Sequence, residues 1–210
     1  MVHLGRDRDA LSLTQYSLFG AEAAEPALPD LDGLMLAGGQ WVRSAAGARL
    51  SVVVADRWRA DALAAVFAGL GVDGAGAVVA SATQLAVRTA FTPDLVTHAA
   101  RWTRGANQGL PAGFALGAGG LRLWAVAAGR RDEAGYLLAT AGLTPAGADD
   151  PIHRAAGAQL ARLGVAAVSL SHRPGPGWRV TSARRLRRLV ELVGEAPDGG
   201  RDAWPVPMVS

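Results

Sequence analysis

The sequence predicts an α/β (α+β) protein built from two pseudo-symmetric αββαββα halves with antiparallel sheets. Two observations carry that prediction. The order helix, strand, strand, helix, strand, strand, helix can be read over residues 29–104 and is repeated over 121–194. Between them, 105–120 is glycine-rich and has no apolar period, which is the composition of a linker. The division that follows is an arm (1–28), a first repeat (29–104), a linker (105–120), a second repeat (121–194) and a flexible tail (195–210).

Composition sets limits on what the chain can do. Its 210 residues are half hydrophobic, which is ample for a core, and no apolar run is long enough and charge-free enough to cross a bilayer. The start of the chain lacks a charged-then-apolar signal layout, so the expected location is cytoplasmic, associated with the nucleoid if DNA is the partner. With no cysteine there are no disulfides and no thiolate metal sites. All 21 basic residues are arginine, and the net charge of +3 permits a nucleic-acid partner without requiring one.

Taken in order, the arm is polar and then Ala/Pro/Glu-rich. It contains Gln15-Tyr-Ser-Leu-Phe19, which resembles the peptide by which bacterial DNA-processing proteins hold the replicative sliding clamp. Leu18 and Phe19 suit an apolar pocket, Ser17 is the small residue before them, and the Gln15 amide can bond at the pocket rim. The same residues would also suit a strand docking on the chain's own core.

The first helix is Leu31-Asp-Gly-Leu-Met-Leu-Ala-Gly-Gly39. Pro29 suits its first turn, Asp30 and Asp32 favour the positive end of the helix dipole, and Gly38-Gly39 supplies a left-handed stop. Gly33 and Ala37 lie four apart on one face, small enough to let a partner helix come close. Letter by letter this helix resembles the LAGLIDADG motif of homing endonucleases and their regulator relatives. Leu31, Gly33, Leu34, Met35, Ala37 and Gly39 match or nearly match, while Asp32, Leu36 and Gly38 depart from the motif.

Gln40–Arg43 and Arg49–Asp56 read as a hairpin, the second strand alternating Leu50, Val52 and Val54 with Arg49, Ser51 and Val53. Asp56 is placed to cap a helix ending at Gly71. Ala77–Ala80 and Gln84–Thr89 read as strands, and Thr92-Pro93 opens a helix through Trp102. In the second half, Leu121–Gly129 is the expected central helix, 134–140 a strand and Asp150-Pro151 the start of a helix to Gly164. Ala166–Ser171 and Trp178–Thr181 form a hairpin, and Ser182 begins a last helix with Leu186, Leu189 and Val193 inward. In the tail, Trp204 invites docking, on a neighbour or on the domain itself.

The resemblance implies two central helices packed at a pseudo-twofold axis, with two curved sheets forming a saddle on the DNA major groove. It also implies that cleavage would need a carboxylate at the end of each central helix to hold divalent cations. Those positions are Gly38 and, by a looser alignment, Ala128, so no catalytic residue, metal ligand or cofactor is expected. Other chemistries lack their residues. His3, His98, His153 and His172 have no metal-binding spacing, no lysine is present to complete a phosphate loop, and no Gly-x-Ser-x-Gly elbow occurs. Arg43, Arg49, Arg88, Arg173 and Arg179 are the residues expected to face double-stranded DNA. The expected function is a non-catalytic DNA-binding or adaptor protein of replication or repair, tethered to the sliding clamp, with no membrane partner. The alternatives are a transcription regulator and a divergent endonuclease.

Overall fold

The computed structural model describes residues 25–74, 77–80, 84–105, 107–140, 150–171 and 176–207. Gln15, Ser17, Leu18, Phe19 and Arg173 lie outside the described residues. The fold is α+β, and both halves have the same order of elements.

In the first half a 3₁₀ turn (Leu28–Leu31) runs into α1 (Asp32–Leu36), followed by β1 (Gln40–Ser44), β2 (Gly47–Val54), α2 (Arg57–Gly69), β3 (Val78–Ala80), β4 (Leu85–Arg88) and α3 (Val96–Trp102). A two-strand ribbon, β5 (Thr103–Arg104) and β6 (Asn107–Gln108), then leads to the second half. That half contains α4 (Ala118–Ala128), β7 (Gly129–Asp132), β8 (Gly135–Ala139), α5 (Pro151–Arg162), β9 (Val168–Leu170), β10 (Gly177–Val180) and α6 (Ala183–Val193). The two four-stranded sheets have orders β1-β2-β4-β3 and β7-β8-β10-β9, antiparallel throughout.

Local signals explain the start and stop of the motif helix. Pro29 lies in its opening turn, the Asp30 carboxylate accepts from Ala27 N at 2.9 Å, and Gly38 takes φ 92°, which a β-carbon would disfavour. Asp32, expected to act only through the dipole, is 3% exposed and does much more. It accepts from the Trp102 indole at 2.6 Å and pairs with Arg101 at 3.3 Å, fixing α3 against α1.

The central pair is α1 against α4. A Cβ added to Gly33 would overlap the Gly120 carbonyl oxygen and lie 2.6 Å from its carbon, so the two backbones touch. Ala37 lies just past α1 and is half-buried, so the close approach is concentrated at Gly33. Gly119 and Gly120, read from sequence as linker, are inside α4, which begins three residues before the expected Leu121. A Cβ on Gly119 would run into the Asp30 carboxyl group, and one on Gly120 would lie 2.8 Å from Leu116 Cδ1 and 3.4 Å from Asp30 O.

Two other expectations are corrected. Asp56 and Ser182 precede α2 and α6 without a side-chain cap bond; Asp56 binds Arg59 instead. The segment from Glu195, expected to be flexible, is tied down as far as Trp204. The Trp204 ring is 4% exposed and donates to Gly194 O at 2.8 Å, while Arg131 donates to Asp202 O at 2.7 Å. No helix among the described residues is long and apolar enough to cross a membrane.

Candidate nucleic-acid interface

Two places in this fold combine position with chemistry: the ends of the central helices and the uncovered faces of the sheets. Where metal-binding carboxylates would stand, Gly38 and Ala128 carry none. The end of α4 is instead held by a cation. Arg59 of α2 is 6% exposed and donates to Val126 O at 2.6 Å, Gly129 O at 2.7 Å and Ala125 O at 3.4 Å, while Asp56 accepts its Nε at 2.8 Å. The fork reaches the Val126 and Gly129 carbonyls beyond the last helical turn and adds to Ala125 O, which also accepts from Gly129 N, and its charge suits the negative end of the dipole. Beside it, Tyr136 is buried, with a hydroxyl that has no partner among the described residues, and burial pushes the phenol above its usual range. Among the described residues, no three His, Cys, Asp or Glu side chains group as metal ligands.

In the second half, His153 of α5 is buried, bonded to Thr140 Oγ1 at 2.9 Å and Ser169 Oγ at 2.8 Å, and stacked on Trp178 at 4.9 Å. Burial pushes its pKa down, which favours the neutral imidazole.

Each sheet packs helices on one face and leaves the other open, because its strands alternate. On the first sheet Trp41, Leu50, Val52, Val54 and Val87 point to the core. Gln40, Val42, Arg49, Ser51, Val53, Ala86 and Arg88 therefore occupy the open face. Of the arginines expected to face DNA, Arg49 and Arg88 are on this face and have no carboxylate partner among the described residues; Arg49 lies over the Phe91 ring at 4.6 Å. Arg43 is not on it. It has the parity of Trp41 and pairs in register with Ala48, so strand alternation carries it to the helix side of an edge strand, where it is exposed.

On the second sheet Arg179 is on the open face but already paired, its Nη2 lying 2.6 Å from Asp132 Oδ2. That pair spans Leu137 on β8, which is 1% exposed, and Arg130 and Val168 complete the row across the sheet. The exposed α6 arginines Arg184, Arg185 and Arg187 lie on the outer surface of a helix whose Leu186, Leu189 and Val193 are buried, and Arg188 beside them pairs with Glu191.

Arg59 and Asp32 were invisible as central residues in the sequence. Their partners lie about 70 positions away and give no local signature.

No protein-family model matches the chain, and no curated protein matches it significantly. Among solved structures it is similar to the homing endonuclease I-WcaI bound to its DNA recognition sequence, with a TM-score of 0.53 at 8% identity, covering 87% of this chain and 90% of that one. At that identity the likeness is one of fold: helices and antiparallel sheets arranged as in a homing endonuclease.

Proposed function

We propose that this protein binds duplex DNA without cutting it, seating the duplex on the open faces of its two sheets, and that it acts in replication or repair while tethered to the sliding clamp. The observation that carries the reading is the first sheet's open face, where Arg49 and Arg88 stand with no acidic partner among the described residues. Guanidinium groups left free of carboxylates are available to phosphates and to guanine edges. The absence of cleavage is inferred from the helix ends. The cation a nuclease would recruit there would meet the Arg59 guanidinium, and neither Gly38 nor Ala128 can offer a ligand oxygen from its side chain.

Duplex binding should be measurable by fluorescence anisotropy at about 50 mM salt and should weaken steeply by about 200 mM, because each condensed counterion released gains less entropy in more concentrated salt. Arg49→Ala with Arg88→Ala should weaken binding to every sequence. It should also flatten the log–log salt slope by about 0.9 for each phosphate contact removed. No binding at low salt would remove the DNA reading. Cleavage of duplex or branched DNA with magnesium or manganese would remove the non-catalytic one.

The tether rests on Gln15, Ser17, Leu18 and Phe19. Burying Leu18 and Phe19 is worth about 1.5–3 kcal/mol each, partly offset by ordering the segment, so the expected affinity for a bacterial clamp is micromolar. Leu18→Ala with Phe19→Ala should abolish binding in titration calorimetry and leave the melting temperature unchanged. A large fall in melting temperature would place both side chains in the protein's own core instead.

A further inference from the structure

Val42, Val53, Val79, Val168 and Val206 are the large apolar side chains most exposed among the described residues, and all but Val206 lie on the open faces of the two sheets. Three of them share the first sheet. Strand register sets Val53, Ala86 and Val79 side by side across β2, β4 and β3. The adjacent row is Gln40, Ser51 and Arg88, and beyond it stand Val42 and Arg49. One apolar row therefore lies beside polar rows that carry Arg88 and Arg49, and none of the four strands contains an acidic residue.

We propose that this face recognises pyrimidine C5-methyl groups in the major groove through Val42, Val53 and Val79. The proposal deepens the duplex-binding reading and rests on it. At roughly 4.8 Å between strands, the Val53–Ala86–Val79 row is about 10 Å wide and fits a groove about 12 Å across. Valine has no donor or acceptor and cannot answer a base-edge hydrogen bond. The apolar feature a base pair presents in that groove is the methyl on C5, carried by thymine and by 5-methylcytosine. Arg49 and Arg88 supply the phosphate attraction that brings the groove to the row. Exposing valine to water at these positions is unfavourable, and burying it against methyl groups recovers that loss only when the methyls are present.

The experiment begins with selection of a duplex from a random pool by the full-length protein. The selected duplex is then compared with the same sequence carrying deoxyuridine for thymine. Affinity should fall about threefold to fourfold for each methyl removed from contact. Replacing the responsive thymines by 5-methylcytosine, paired with guanine, separates the two sources. Recovery means the methyl is read on either base, and no recovery means thymine itself is required. Val42→Ser with Val53→Ser and Val79→Ser, all at exposed positions, should make the thymine and deoxyuridine duplexes bind equally while the salt slope is kept. Indifference of the wild type to deoxyuridine, with duplex binding intact, overturns the proposal and leaves the DNA reading standing. So does a serine variant that weakens both duplexes alike. Failure to bind any duplex at low salt removes both.

Discussion

Gly33→Ala should lower the stability of the protein by about 3 kcal/mol, and Gly33→Leu should leave little folded protein at all. Overpacking ordinarily costs about 1–3 kcal/mol because side chains can shift. Here the obstacle is backbone: the new Cβ meets the Gly120 carbonyl, and the only relief is to part the two helices. Alanine gains about 1 kcal/mol of helix propensity over glycine, which is too little to offset that. For a chain of this size the loss corresponds to a fall in melting temperature of about 6–12 °C. Gly69→Ala is the matched control with the opposite sign. Gly69 ends α2 with nothing within 4 Å of its would-be Cβ, so the substitution should stabilise slightly. A Gly33→Ala protein that melts with the wild type would dissolve the idea of a backbone-tight central pair.

Arg59→Met should cost about 3–5 kcal/mol in urea titration. The loss comes from the acceptors rather than from the ion pair. Asp56 is half-exposed and regains water, so Asp56→Ala should change little. Ala125, Val126 and Gly129 lose a charged donor at a buried helix end, and each such bond is worth about 1.5–3 kcal/mol. Arg59→Lys keeps the charge without the fork and should recover only part of the loss. Because Arg59 belongs to the first half and its acceptors to the second, the Met variant should also loosen one half against the other. Faster amide exchange in α4 would register it. Equal stability of wild type and Arg59→Met would mean that water serves those carbonyls as well as the guanidinium does.

Legibility in the sequence followed the range of the interaction. Pro29, Gly38 and the alternation of β2 act within a few residues, and the elements they define are found where their patterns place them. β7 was missed because Gly129-Arg-Arg-Asp132 has no apolar alternation; it is a strand because β8 pairs with it. Gly119 and Gly120 misled, since glycine serves both flexible linkers and tight crossings, and only the facing Gly33 decides which. The parity of Trp41 and Arg43 is a local signal that sets that arginine on the core side of its strand. The Arg179–Asp132 pair joins residues 47 apart across a sheet, and nothing local announces it.

The two sheets share a topology and differ in their surfaces: valine and alanine beside arginines with no carboxylate partner among the described residues on one, and on the other an ion pair over a buried leucine. Halves so unlike on a single chain cannot exchange places. A duplex seated across both would be held in one polarity, with the first sheet always over the same side of the site. Association with DNA would then have a heading as well as a position.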